Sequence, residues 1–343
     1  MRLLKILVGL LVVFTVVWSG YWFVGRAAIA RHVPGIFEEI RAGGRVAEAS
    51  EIATSGFPNR FDTTITAPQF GDPQAGWHWQ APFVQILALS YRPNHVILAL
   101  PHTQTLTLPD AQLNILSDSM KGSVVVAPNT DLALNRATFV ARDLSIEGNN
   151  GAGATLAEAR AALRLMPAAT ATYEIGIEAL DLSPGYELHR ILDPGDRLPE
   201  TVERLHLDAT AEFAAPLRAT GAPQTPRRIS VSDLSGHWGE IEIALRGDLD
   251  IDAAGVPTGR LTVTARNWRM LLALATDSGL ITPDMARGAE GGLAMMAGVG
   301  GSGAAAGGEA EGGATIEAPL NLRDGGIYLG PLPLGPAPRL RVR

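Results

Sequence analysis

Asp248, Asp250 and Asp252 alternate along one stretch and come nearest, in type and spacing, to a cation site. A calcium loop that opens Asp-x-Asp-x-Asp needs glycine at its sixth position for a sharp turn and a bidentate glutamate at its twelfth. Those places hold Ala253 and Gly259, so the three carboxylates read as the wet face of a strand. The histidines (32, 78, 95, 102, 189, 206 and 237) are dispersed, without the His-x-x-x-His spacing of a helical zinc site. Cysteine is absent, which excludes disulfides, thiolate metal ligands and thiol nucleophiles. Gly298-Val299-Gly300-Gly301-Ser302-Gly303 spells a dinucleotide-binding fingerprint, but it lacks the buried strand before it and the helix after it that the fingerprint requires, and reads as a glycine-rich loop. No catalytic residue, cofactor or metal ligand is assigned, and the expectation is a chain that is not an enzyme.

Aromatic residues offer a different chemistry. Trp77 and Trp79 stand two apart and would share one face of an extended strand, and Trp238 follows His237 in a second aromatic group. Such rings clamp a core or wall an apolar ligand. The same choice applies to Leu207, Ile243 and Leu245, which fall on the apolar side of alternating strands. These six residues form the candidate apolar ligand surface.

The strands that must position them are legible. From Ile241 to Asp252, Ile241, Ile243, Leu245, Leu249 and Ile251 alternate with Glu242, Arg246, Asp248, Asp250 and Asp252, the period of an antiparallel strand with one dry and one wet face. Gly255–Gly259 turns this strand into Leu261–Ala265, and Leu205–Phe213 alternates in the same way. Further strands are expected at Arg60–Thr66, Val84–Tyr91, His95–Leu100, Gln104–Leu108, Ser123–Ala127, Arg136–Glu147, Ala171–Leu182, Arg228–Val231, Ala314–Leu322 and Gly326–Leu329. The apolar phase changes between Ile177 and Leu180, which predicts a bulge there. Thr155–Leu165 is rich in helix formers but lies between strands, so either state is open. Helices are expected at Arg31–Arg41, Pro184–Leu192, Trp268–Ser278 and Pro283–Ala297.

One element stands apart. Ile6 to Gly25 carries no charge and lies between Arg2/Lys5 and Arg26/Arg31; about 20 residues at 1.5 Å each span the ~30 Å hydrocarbon core of a bilayer. Trp18, Tyr21 and Trp22 close the run where amphipathic rings favour the membrane–water boundary. Ala28-Ile29-Ala30 also fits a signal-peptidase site, so cleavage after Ala30 stays open, although the length of the run and the position of Arg26 favour an uncleaved anchor. Arg2 and Lys5 favour a cytoplasmic N-terminus and export of the rest. The expected division is an anchor at 1–26, a juxtamembrane helix at 27–45, a β-rich unit at 46–182, a linker at 183–199, and a second β-rich unit at 200–343 with a flexible Gly/Ala-rich loop at 288–313. A net charge of −7 excludes the basic surface that nucleic acid requires.

Gly56-Phe57-Pro58-Asn59-Arg60-Phe61-Asp62, Trp79-x-Ala81-Pro82-x-x-Gln85, Tyr91-x-Pro93-Asn94-His95, Gly236-His237-Trp238-Gly239 and the closing Leu320–Gly335 together resemble a bacterial domain-of-unknown-function family of N-terminally anchored envelope proteins, over roughly residues 30–335. The rhythm of residues 247–268 also resembles the repeats of the AsmA-like group. That resemblance implies a long β-sheet gutter associated with envelope lipid homeostasis, and supplies no catalytic residue.

The expected fold is therefore mainly β: an N-terminal transmembrane helix followed by antiparallel strand-rich sheets, as a curved groove or a sandwich, with a few short helices. The expected location is the bacterial inner membrane, single-pass, with the bulk in the periplasm. The partners expected are the membrane itself, with lipid or another apolar ligand on the groove; the alternative is a scaffold that recruits an envelope protein.

Overall fold

The computed structural model describes residues 1–149, 151, 153–218, 224–279, 281–300, 315–330 and 332–340. Its strands form one antiparallel sheet. Ten strands come in five consecutive couples: β1 (Val46–Glu48) with β2 (Glu51–Ser55), β3 (Arg60–Thr66) with β4 (Gln69–Asp72), β5 (Trp77–Gln80) with β6 (Phe83–Leu89), β7 (Arg92–Leu100) with β8 (Thr103–Leu108), and β9 (Ala111–Leu116) with β10 (Ser119–Val126). Each couple is one run of chain interrupted by two residues. The interruptions at 49–50, 67–68, 81–82, 101–102 and 117–118 lie side by side and are still joined by backbone hydrogen bonds, among them Ser50 N–H to Thr66 O, Ala67 N–H to Pro82 O and Ser117 N–H to His102 O. They form a crease across the sheet. Pro68, Pro82 and Pro101 sit on it, where a missing ladder N–H costs least.

The crease divides the first strands into two leaves. One runs β2-β3-β6-β7-β10 and the other β1-β4-β5-β8-β9. Both end on β11 (Leu134–Gly148), which pairs with β10 through its first half and β9 through its last. From there the sheet continues as a meander of β12 (Gly153–Leu165), β13 (Thr172–Ser183), β14 (Val202–Glu212), β15 (Arg228–Trp238), β16 (Ile241–Ile251), β17 (Pro257–Arg266), β18 (Thr315–Arg323), β19 (Gly326–Leu329) and β20 (Leu332–Pro336). The crease runs on into these strands: the ladders pass over residues 143, 157, 181 and 203, and Asp143 and Asp181 take φ of 48° and 51° there.

Several expectations meet this structure directly. Arg60–Thr66 and Gly326–Leu329 are strands with those bounds. The segment 155–165, ambiguous in sequence, lies within β12, its alternation overriding its helix propensity. The bulge expected after Ile177 is not in β13, which keeps one register with both neighbours; Leu180 pairs with Glu158 and Arg204 beside the crease. The register shift instead falls in β15, between Val231 and Leu234. The stretch 183–199 holds α2 (Gly185–Leu192), while β13 and β14 on either side of it pair within the sheet. Helices α3 (Trp268–Asp277) and α4 (Pro283–Gly300) follow β17. Residues 288–300, expected to begin a flexible loop, continue α4; 301–314, with the second half of the Gly298 motif, lie outside the described residues.

The anchor and the juxtamembrane helix are one helix, α1 (Arg2–Ala42), long and apolar enough to cross a membrane. Its C-terminal half packs on the sheet. Phe37 is buried in a cluster with Ala47 and Ile65, and its ring lies 5.3 Å from that of Phe70. Nearer the N-terminus, Trp18 Nε1 donates to Pro58 O at 3.1 Å, Tyr21 Oη to Ser90 O at 2.7 Å, and Trp22 Nε1 to Arg60 O at 2.7 Å. These residues, spaced i, i+3, i+4, share one helix face.

Tyr173 ties the far end together. Fully buried, it donates to Leu134 O and accepts from Leu217 N–H, both at 3.0 Å. Burial pushes its phenol pKa up, so the hydroxyl stays a donor. Tyr173→Phe strands both backbone groups and should lower the unfolding free energy by about 1–3 kcal/mol; equilibrium denaturation would measure it, and an unchanged midpoint would contradict the assigned role.

Candidate functional site

Register brings apolar residues from distant segments into rows on one face. The ladders place Thr63, Ile86, Leu98, Gly122, Phe139, Ala161, Ile177, Leu207, Leu234, Leu245 and Val263 opposite one another from β3 to β17. A flanking row runs Phe61, Ala88, Val96, Val124, Ala137, Leu163, Ile175, Ala209 and Val231. On the other flank stand Ala141, Ala159, Ala179, Leu205, Gly236, Ile243 and Ala265. Side chains two apart on a strand point the same way, so the three rows share one surface. Its floor is lowest over β11–β13, where alanine predominates.

Over β11–β17 the opposite face is charged, while on β6 and β7 it carries Leu87 and Ile97. Glu158 receives a two-pronged hydrogen bond from Arg160 at 2.8 Å, with Arg142 beside it at 3.4 Å, and these arginines hold its carboxyl below the usual range. Arg164–Glu174, Arg204–Glu178, Arg228–Asp250 and Arg266–Glu242 pair across neighbouring strands. Exposed pairs of this kind contribute little stability; they keep this face in water. Asp248 and Asp250 belong to it, engaged by Ser230 and Arg228, and no set of three or more potential metal ligands gathers among the described residues.

Both ends of the apolar face are covered. At β3 and β6, α1 lies over Ile65 and Ile86. At β17 and β18, α3 and α4 seat Trp268, Ala289 and Leu293 on Ala265, Ile316 and Ala318, while Leu249, Leu261 and Leu322 are buried beside Ile327 and Ala337. Between these covers the face is open. Leu98, Val124, Phe139, Ile177, Leu205 and Leu234, from six strands, are each 36–46 % exposed.

Of the residues singled out in the sequence, Leu207, Ile243 and Leu245 are on this face and partly buried, with Leu245 against the Leu249 cluster. The tryptophans are not with them. Trp79, on the second leaf, stacks on Phe70 at 5.9 Å and donates to Gln104 Oε1 of the neighbouring β8, and Trp77 shares its short strand. Trp238 packs by Leu198 and Ile241 and donates to Pro199 O at 2.7 Å. Both act as structural clamps, and the two groups do not form one wall. Missed in the sequence were Leu98, Val124, Phe139, Ile177, Leu205 and Leu234; their alternation was visible, but which strands would stay uncovered depends on where the helices pack.

Residues 22–338 match the family described as "Uncharacterized protein conserved in bacteria (DUF2125)", and the chain belongs to it. No curated protein and no solved structure matches the chain.

Burial along the face predicts a graded response. Leu261→Ala, under the covered end, should cost about 2–5 kcal/mol through lost burial and a residual cavity, whereas Ile177→Ala on the open stretch should cost less than ~1 kcal/mol. Chemical denaturation of the two variants checks this, and equal losses would mean that the open stretch is packed as a core.

Proposed function

We propose that this chain, a member of a bacterial family and carrying a helix able to span a bilayer, is a non-enzymatic envelope protein of the inner membrane that holds an apolar ligand, a lipid acyl chain, on the open face of its sheet. The observation that carries the reading is the contiguous half-exposed strip of Leu98, Val124, Phe139, Ile177, Leu205 and Leu234 between two helix-covered ends. Soluble surfaces rarely leave such patches uncovered, and patches that persist mark binding sites. Covering the exposed two-fifths of six such side chains is worth roughly 4–7 kcal/mol before ordering costs, enough for a reversible ligand. The low alanine floor over β11–β13 gives the chain a bed, and the charged opposite face keeps the sheet from burying both sides.

The proposed topology places the sheet in the periplasm, since Arg2 and Lys5 flank the cytoplasmic side of the helix. A reporter active only outside the cytoplasm, fused after Arg343, should be active; activity of a cytoplasm-restricted reporter at the same place would reverse the assignment.

Ligand binding is tested on the full chain. Extracted from membranes and transferred to amphipol, it should retain lipid detectable by native mass spectrometry. The Phe139→Asp/Ile177→Asp double variant should lose most of that lipid while keeping its melting temperature within about 5 °C, because both positions are half-exposed. A wild-type protein free of lipid, or a variant that carries as much, would sink the proposal and leave partner recruitment as the function of the strip.

A further inference from the structure

Only the first part of α1 is free of the sheet. Ile6 to Val17, the uncharged run ahead of Trp18, is exposed wherever it is apolar, and those residues reach about 18 Å, short of the ~30 Å that a span needs. The remaining length must come from Trp18 to Gly25. Within that stretch the rings of Trp18, Tyr21 and Trp22 are hydrogen-bonded to Pro58, Ser90 and Arg60, in or beside the turns between β2 and β3 and between β6 and β7. A helix that spans therefore draws these turns to the membrane surface. They present the chemistry of that boundary: Phe57 and Tyr91 are 52 % and 58 % exposed, and Arg92 follows Tyr91.

Immediately behind these turns lies a recess of about 350 Å³ between α1 and the sheet. The helix contributes Tyr21, Gly25, Ile29 and Val33; the sheet contributes Phe61, Ile86, Ala88 and Val96. Gly25 is required there, because a Cβ would stand 2.5 Å from the Phe61 ring. The recess also joins the open strip, since Ile86 pairs with Leu98 and Val96 with Val124.

We propose that this recess is an entry port through which an acyl chain of a bilayer lipid passes sideways from the membrane onto the apolar face, with the Phe57 and Tyr91 turns resting in the interface. The occupant follows from continuity. The same helix that lines the recess continues into the bilayer, so a chain entering it leaves hydrocarbon for hydrocarbon without crossing water. This inference rests on the reading of the open face as a lipid site, and adds where the lipid enters.

The test uses the full chain in phosphatidylethanolamine/phosphatidylglycerol vesicles that contain a phospholipid with a diazirine at its chain terminus. A soluble short-chain diazirine fatty acid serves as the second probe. After illumination, adducts from the vesicle lipid should map to Ile29, Val33, Ala88 and Val96 as well as to Phe139 and Ile177. Ala88→Trp fills the recess and should cut vesicle-derived labelling of Phe139 and Ile177 at least about fivefold, with labelling by the soluble probe unchanged. Ile29→Trp fills it from the helix side and should do the same, which guards against local misfolding of the first variant. An unlabelled recess, or vesicle-derived face labelling that neither variant lowers, would overturn the port while soluble-probe labelling of Phe139 kept the face intact as a site. Absence of face labelling by both probes would remove the lipid reading and the port together.

Discussion

Everything in this sheet depends on register. The apolar face is continuous over many strands because each antiparallel ladder sets an inward residue opposite an inward residue, and a slip of one position would turn a strand's whole apolar set toward water. The chain meets this constraint even where its alternation falters. In β15 the apolar residues Val231 and Leu234 are three apart, and the register shift between them returns Leu234 to the face beside Leu207 and Leu245. Were the strand regular there, Ser235 and His237 would point inward and Leu234 out. The bulge is thus a correction that preserves the surface.

The crease is the second constraint, and it explains the residues found along it. Strands that all bend at one line need positions that tolerate lost or altered pairing. Proline occupies three of them, and aspartate takes positive φ at two more in β11 and β13, a conformation its short polar side chain tolerates. Beyond β14 the ladders end at this line, in the turn between β15 and β16, where Gly239 N–H donates to the Glu203 carboxylate at 2.9 Å. The bend lets Phe37 of α1 touch Phe70 on one leaf while sharing a cluster with Ile65 on the other, so a single helix closes the angle between them.

Strand identity was legible because period-2 alternation is local: Arg60–Thr66 and Ile241–Ile251 declare themselves in their own residues. The crease was not, since it exists only when five separate two-residue interruptions are aligned by pairing, and none of Ala49-Ser50, Ala67-Pro68 or Ser117-Asp118 differs from an ordinary turn when read alone. The β15 bulge was missed for a related reason, since the phase change at Leu180 drew attention to a strand whose pairing is regular. The apolar surface was half legible: Leu207, Ile243 and Leu245 were correctly given a common side, but burial under α3, α4 and the C-terminal strands is a tertiary outcome that alternation does not carry. Trp79 and Trp238, chosen for their chemistry, hold their own surroundings together through Gln104 and Pro199.

The turn Gly56–Asp62 shows how one short segment can serve fold and location at once. Trp22 lies between Phe57 and Phe61 at 5.3 and 6.0 Å, with Phe23 against Phe57 at 5.7 Å, and its indole N–H is satisfied by the backbone of Arg60. Rings with one polar edge suit a place that is apolar on one side and wet on the other. Because the partners of Trp18, Tyr21 and Trp22 are backbone carbonyls of the sheet's own turns, the helix cannot be repositioned along its axis without breaking three hydrogen bonds and this aromatic stack. With α1 spanning a bilayer as proposed, the distance between bilayer and sheet is set by the same contacts that fold the first leaf, and a sheet held at that height presents its uncovered apolar strip to the bilayer at one end only.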